Sequence, residues 1–207
     1  GDQVRRLPLH PRLARMLVAA DGARSIARAC ALLSERHLLP PRTASTTSDL
    51  LSAIDGWHAI PPHVQRVAED VVRAFSASAP EGLRRASPER PDNSSERRRE
   101  KAALHLSDER FLRAVLSGYP DRVAQRREPG SSNVLLASGT GATIARESGV
   151  RDGEFLVALD VRRSDPALHN QSAIRHPQSG LRGPQAALSV PKGAMVRLAS
   201  LVERDWL

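Results

Sequence analysis

The sequence predicts an α+β protein, an N-terminal helical bundle followed by a small antiparallel β-barrel. Three observations carry that expectation. Up to Gly118 the apolar residues recur at three- and four-residue spacing, the mark of buried helix faces. After Pro129-Gly130 they alternate in twos between glycine turns, as short strands do. Between the two lies Tyr119-Pro120-Asp121-Arg122-Val123-Ala124-Gln125-Arg126-Arg127, where one period gives way to the other.

Residues 7–20 open with two prolines and then settle into a helix whose buried stripe is Leu13, Met16, Leu17 and Ala20. Arg12 and Arg15, three residues apart, share another face. Gly22 ends this helix. A second is expected over about residues 23–36, burying Ile26, Cys30 and Leu33 while Arg24 and Arg28 line up one turn apart; Pro40-Pro41 stops it. Ser48 or Asp49 can cap a third, which carries Leu50, Leu51 and Ile54. Pro61-Pro62 opens the most regular amphipathic run, with Val64, Val67, Ala68, Val71, Val72 and Phe75 on its apolar face. Arg66 with Asp70 and Glu69 with Arg73 stand at pairing distance on its polar face. From about residue 76 to 96 Pro, Ser, Glu and Arg dominate, so an exposed, mobile linker is expected, followed by a solvated basic run at 97–101. Ser107 then caps a helix with Asp108 and Glu109 in its first turn, Phe111, Leu112, Val115 and Leu116 on its buried side and Gly118 at its close.

In the central stretch, Pro120 and Asp121 suit the first turn of a short helix, with Arg126 and Arg127 near its C-terminus. Beyond it, strands at 134–137 and 142–145 are joined by Ser138-Gly139-Thr140-Gly141, whose glycines supply the positive φ a hairpin needs. Arg151-Asp152-Gly153 is a turn. Phe155, Val157, Leu159 and Val161 alternate as in a strand with one face in a core, and residues 164–184 read as a long loop. Residues 195–202 alternate again, Val196, Leu198 and Val202 on one side and Arg197 on the other. Two modules are therefore expected, 1–118 and 119–207.

The net charge of +8 points to an anionic partner, nucleic acid being the commonest. All but Lys101 and Lys192 of the 31 basic residues are arginine, a bias that genome composition alone can produce, so distribution says more than abundance. Residues 3–20 and 166–202 contain arginines and no acid, and these segments are expected to face phosphate. No run of apolar residues is long enough to span a membrane. A single cysteine, Cys30, excludes an internal disulfide and suits a reducing, cytoplasmic compartment, where it is expected to fill the core. The start at Gly1-Asp2 and the end at Trp206-Leu207 suggest a part of a longer polypeptide.

Several chemistries find no support. Ser138-Gly139-Thr140-Gly141-Ala142-Thr143 has the look of a phosphate loop, but Ala142 stands where the lysine should be and the order is strand to strand. The histidines include no helical i, i+4 pair, and one cysteine builds no structural zinc site; His169 and His176 are expected in solvent. No nucleophile-elbow motif is present. Aromatics are few, Trp57, Trp206, Tyr119, Phe75, Phe111 and Phe155, so nucleic-acid affinity is expected to be electrostatic and salt dependent rather than built on stacking.

Three blocks, in this order, resemble the region behind the motor domains of HrpB-type bacterial helicases, relatives of the DEAH-box RNA helicases. They are Leu7-Pro8-Leu9-His10-Pro11-Arg12-Leu13-Ala14-Arg15-Met16-Leu17; Tyr119 to Arg127; and Leu135-Leu136-Ala137-Ser138-Gly139-Thr140-Gly141-Ala142 with Gly153-Glu154-Phe155-Leu156-Val157-Ala158. The resemblance implies a helicase-associated (ratchet-like) helical bundle and an OB-like barrel that close over a strand leaving the motors. Walker A, DEAH and arginine-finger elements are absent, so the chain is expected to be non-catalytic, ATP and magnesium belonging to the motor domains of the same polypeptide. Carried over by position, the strand-facing candidates are Arg12 and Arg15, then Arg122, Arg126 and Arg127, then Ser138, Thr140 and Arg146; strand alternation in an acid-free setting adds Arg197. The expected partner is single-stranded nucleic acid, RNA above all, held through its phosphates. The alternative is a protein-docking module for a helicase activator or a ribosomal partner.

Overall fold

A computed structural model describes residues 2–35, 45–78, 106–163 and 194–207 of the chain. The linker expected at 76–96 falls outside these from residue 79 onward, as do the basic run at 97–101, the loop at 164–184 and both of its histidines.

Six helices form among the described residues: α1 (Asp2–Arg6), α2 (Pro11–Ala19), α3 (Arg24–Ser34), α4 (Asp49–Asp55), α5 (Pro62–Ser78) and α6 (Asp108–Gly118). Their starts follow the caps in the sequence. Ser48 Oγ accepts from the Leu51 N–H at 3.4 Å, Ser107 Oγ from the Arg110 N–H at 3.4 Å, and Pro11 and Pro62 occupy first-turn positions where a missing N–H costs nothing. Between α2 and α3, Gly22 has φ +74, and a Cβ there would sit 2.3 Å from Phe75 Cδ1 of α5, so only glycine lets the turn pass beneath that ring. Gly118 does close α6 but without a left-handed backbone. Its Cβ would lie 2.5 Å from Met16 Cγ and 2.7 Å from the Arg12 carbonyl oxygen, so the glycine is required by close approach of α2 and α6.

The central stretch departs from expectation. Only Pro120–Arg122 makes a helical turn; Val123–Arg126 is strand β1, paired to β2 (Asn133–Leu136) on one side and β4 (Phe155–Arg163) on the other. Arg126 and Arg127 therefore do not end a helix. Backbone pairing on two sides outweighs the local preference that Pro120 and Asp121 supply. With β3 (Gly141–Ile144) and β5 (Ala194–Val202) the strands close in the order β1-β2-β3-β5-β4, an OB-like barrel. It is mixed rather than wholly antiparallel, because β3 and β5 run parallel. Closure makes this unavoidable: a ring of five strands cannot alternate direction at every step. The β2–β3 hairpin turns as expected, with Gly139 at φ +78.

Barrel and bundle share more than a border. Ala124, Val134, Leu156, Ala158, Val196 and Ala199 fill the barrel, whereas Val157, Leu159 and Val202 belong to the core built by Met16, Leu17, Phe111 and Val115 of the helices. Strand β4 is thus buried on both faces, not the one expected, since the bundle covers the side that faces away from the barrel. The register of β4 and β5 is irregular around Asp160, and this turns Val196 into the barrel but Leu198 toward the helices, so the two do not share the side assigned to them by alternation.

A polar seam completes the junction. The Thr46 N–H donates to the Gly149 carbonyl at 2.9 Å, the Leu201 N–H to the Thr47 carbonyl at 2.7 Å, and the Ser48 and Ser200 hydroxyls meet at 2.7 Å. Asp49, 2% exposed, accepts from Ser148 Oγ at 2.7 Å, the Gly149 N–H at 2.8 Å and the Ala199 N–H at 2.9 Å. Bonds to a charged acceptor contribute about 1.5–3 kcal/mol each, so this carboxylate fastens α4 to the barrel. No described helix is long and apolar enough to cross a membrane.

Candidate nucleic-acid interface

The candidate residues fall into two places. At the junction, the α6 helix delivers Tyr119 between two guanidinium groups: Arg12 lies 5.2 Å and Arg122 5.8 Å from the ring centroid. Arg12 Nη2 also pairs with Asp121 at 2.8 Å, while its Nη1 is buried without a hydrogen-bond partner among the described residues. Arg122 Nη1 donates to the Leu159 carbonyl at 3.2 Å. Burial pushes the Tyr119 phenol above its ordinary pKa, against the opposing pull of Arg122 and Arg12. These arginines are half-buried and hold α2 to the start of the barrel; Arg15, one turn along α2 from Arg12, is exposed.

Arg126 is a correction to the surface expected from sequence. It is 6% exposed, and its Nε and both Nη atoms donate to the carbonyls of Gly153, Ser131, Val150 and Asp152. Its guanidinium fastens the β1–β2 turn to the segment before β4. Burial draws its pKa below the arginine norm, Asp152 opposing. Arg127, its neighbour, points the opposite way because successive strand residues face opposite sides.

On the outer face of β1, β2 and β3 the register sets Gln125, Leu135 and Gly141 in one row and Asn133, Thr143 and Met195 in the next. Arg127 reaches across this face, its Nη2 3.9 Å from where a Cβ on Gly141 would stand. The bare glycine leaves room beside it, and Thr143 Oγ1 donates to Asn133 Oδ1 at 3.4 Å. Leu135 and Met195 are each 39% exposed here. Ser138 and Thr140 lie exposed in the adjoining turn, joined to each other at 3.1 Å. Arg146 is exposed past β3, and Arg197 is half-buried on β5. Neither these two nor Arg15 and Arg127 make an ion pair among the described residues.

Arginines and acids are nearly balanced among the described residues, so most of the net charge of +8 is carried by the others, and attraction for an anion on the described surface is local. Among the described residues no group of three or more His, Cys, Asp or Glu could hold a metal ion. Residues that the sequence did not single out include Asn133 and Thr143, polar positions on a strand face that only the register brings beside Arg127; Asp49, expected as a possible cap, instead accepts from the barrel.

No family model matches the sequence, and no curated protein does. Among solved structures the chain is similar to Escherichia coli HrpB, a DExH-box NTPase, at 23% identity and a TM-score of 0.53, over 99% of this chain and 19% of that one. A second structure, of the Escherichia coli DEAH/RHA helicase HrpB, is similar at 22% identity and a TM-score of 0.49, over 78% of this chain and 17% of that one. The likeness to HrpB that the three sequence blocks carry therefore extends to the fold, and this chain spans about a fifth of the length of the protein it matches.

Proposed function

We propose that this chain is a non-catalytic accessory region of an ATP-dependent helicase and guides a single strand, RNA above all, by arginine contacts to its phosphates. One observation carries the reading: nearly the whole chain, bundle and barrel together, takes the fold of one part of a protein described as a DExH-box NTPase. The barrel face supports it. Arg127 lies across an open strand surface with Asn133 and Thr143 beside it, and OB-like barrels present oligonucleotides to the corresponding strands. Exposed Arg15 and Arg146 add phosphate-reaching charge, and contacts of this kind position a strand without reading its sequence. Hydrolysis of ATP with magnesium belongs, in this reading, to motor domains of the same cytoplasmic polypeptide. The β2–β3 turn fits no such role here, having no lysine and opening onto a strand instead of a helix.

A labelled single-stranded oligonucleotide titrated into the chain at rising salt tests this directly. Binding whose logarithmic affinity falls by about 0.7 for each phosphate contact as the logarithm of salt rises is the expected result. Absence of binding, or affinity indifferent to salt, refutes it.

A second reading has its own support in Leu135 and Met195, apolar and exposed on the same face. They suit a protein-docking module for a helicase activator or ribosomal partner. Replacing both by serine separates the readings, since strand guidance through arginine survives that change and protein docking does not.

A further inference from the structure

Helix α3 begins in a way its own stability does not explain. Its N-cap is Ala23, which supplies no side-chain hydrogen bond, its first turn contains no acid, and its first residue is Arg24. A cation at the positive end of a helix dipole is unfavourable. Arg28 follows one turn later on the same face, and like charges four residues apart repel. Neither arginine forms an ion pair among the described residues, although Asp21 precedes Arg24 by only three positions. Ser25, between them, is 7% exposed, and its hydroxyl has no hydrogen-bond partner among the described residues.

The pair is nevertheless held in place. The Arg28 guanidinium carbon lies 5.0 Å from the centroid of the Trp57 ring. Trp57 sits in a single helical turn, Trp57–Ala59, which Gln65 fixes by donating through Nε2 to the Trp57 and Ile60 carbonyls at 3.3 and 2.7 Å. A guanidinium laid on an indole keeps its N–H edge free, and that edge is the fork that binds a phosphate. Burial, followed by the charge of Arg24, draws the Arg28 pKa below the arginine norm.

We propose that Arg24, Arg28 and Trp57 form a second phosphate-holding site, on the helical bundle, occupied by the backbone of a single-stranded nucleic acid. It rests on the nucleic-acid reading above and extends the footprint on the bundle from α2 to α3. Charge complementarity favours this occupant: two guanidinium groups on one helix face, without an ion pair among the described residues, match successive anionic groups along a strand.

The chain has two tryptophans, so Trp206→Phe leaves Trp57 as the only indole reporter. Adding single-stranded oligothymidylate to that variant should change Trp57 emission over the same concentrations at which a labelled strand binds. In Arg24→Gln/Arg28→Gln the emission change should vanish and the salt slope of binding should fall by about 1.4, two contacts at about 0.7 each. Should the double variant lose its helical circular dichroism, Arg24→Gln alone, at an exposed position, should still lower the slope by about 0.7. Unchanged slope with silent Trp57, while the strand still binds, overturns this site and leaves barrel guidance standing. No strand binding by the unaltered chain removes both. A polyglutamate peptide that moves Trp57 emission where the oligonucleotide does not would assign the site to an acidic protein and overturn the proposal.

Discussion

The two sides of the barrel have opposite surroundings. Strand β4 is covered within by Leu156 and Ala158 and without by the bundle, which packs on Val157 and Leu159. The outer face of β1, β2, β3 and β5 carries Arg127, Asn133, Thr143, Leu135 and Met195, and among the described residues no helix lies over it. The contrast teaches that one flank of this barrel is committed to anchorage, while the proposed strand contacts fall on the other. It also sorts the arginines: Arg126 binds the chain's own carbonyls, Arg127 is exposed.

The sharpest way to break the contrast is to cut the anchorage. Asp49→Ala strips a buried acceptor from Ser148, Gly149 and Ala199, leaving donors unsatisfied, and should destabilise the chain by about 4 kcal/mol in urea unfolding. A change below about 1 kcal/mol would mean the seam contributes little. Next comes a leucine on each kind of surface. Leu156→Ala, at a fully buried position, should cost about 2–5 kcal/mol, whereas Leu135→Ala on the open face should fall within about 0.5 kcal/mol. Equal costs would show that the open face is packed after all.

The adjacent arginines sharpen it further. Arg126→Met leaves four carbonyls without their donor and should lower stability by about 2 kcal/mol. Arg127→Gln should leave the melting temperature unchanged and reduce the salt slope of strand binding by about 0.7. Reversal of those two phenotypes would undo the assignment of faces.

The smallest effect is at Glu154, where the hydrogen bond from Arg204 and then that from Gln125 hold the carboxylate below its ordinary 4.5. A lowered folded pKa contributes stability that is complete above pH 4.5 and fades as the pH falls through the folded value, so Glu154→Gln should flatten the acid side of the stability profile there. The contact is fully exposed and solvent screens it, so the change should be slight and should disappear in high salt.

Much of this was legible in the sequence. The stripe Leu13, Met16, Leu17 and Ala20 is buried as its spacing requires, Ser48 and Ser107 cap the helices they precede, and the β2–β3 hairpin turns at Gly139. The site was less so. Arg126 and Arg127 looked alike because, in a helix, neighbours differ by only about 100° and both reach solvent at its end. Pairing with β2 and β4 made the segment a strand, and in a strand neighbours take opposite faces. Asn133 and Thr143 are ordinary polar strand residues until the register sets them beside Arg127.

What the sequence by itself determined is the run of local elements: which segments coil, which extend and where the chain turns. Those choices depend on residues within a few positions of one another, so periodicity, caps and glycines suffice. Tertiary structure alone decided that β4 would be covered twice, that the one parallel pair an odd ring requires would fall at β3 and β5, and that Asp49 would reach Ala199, 150 residues away. Such contacts join groups with no local bond to select them; only closure of the barrel against the bundle brings them within hydrogen-bonding range.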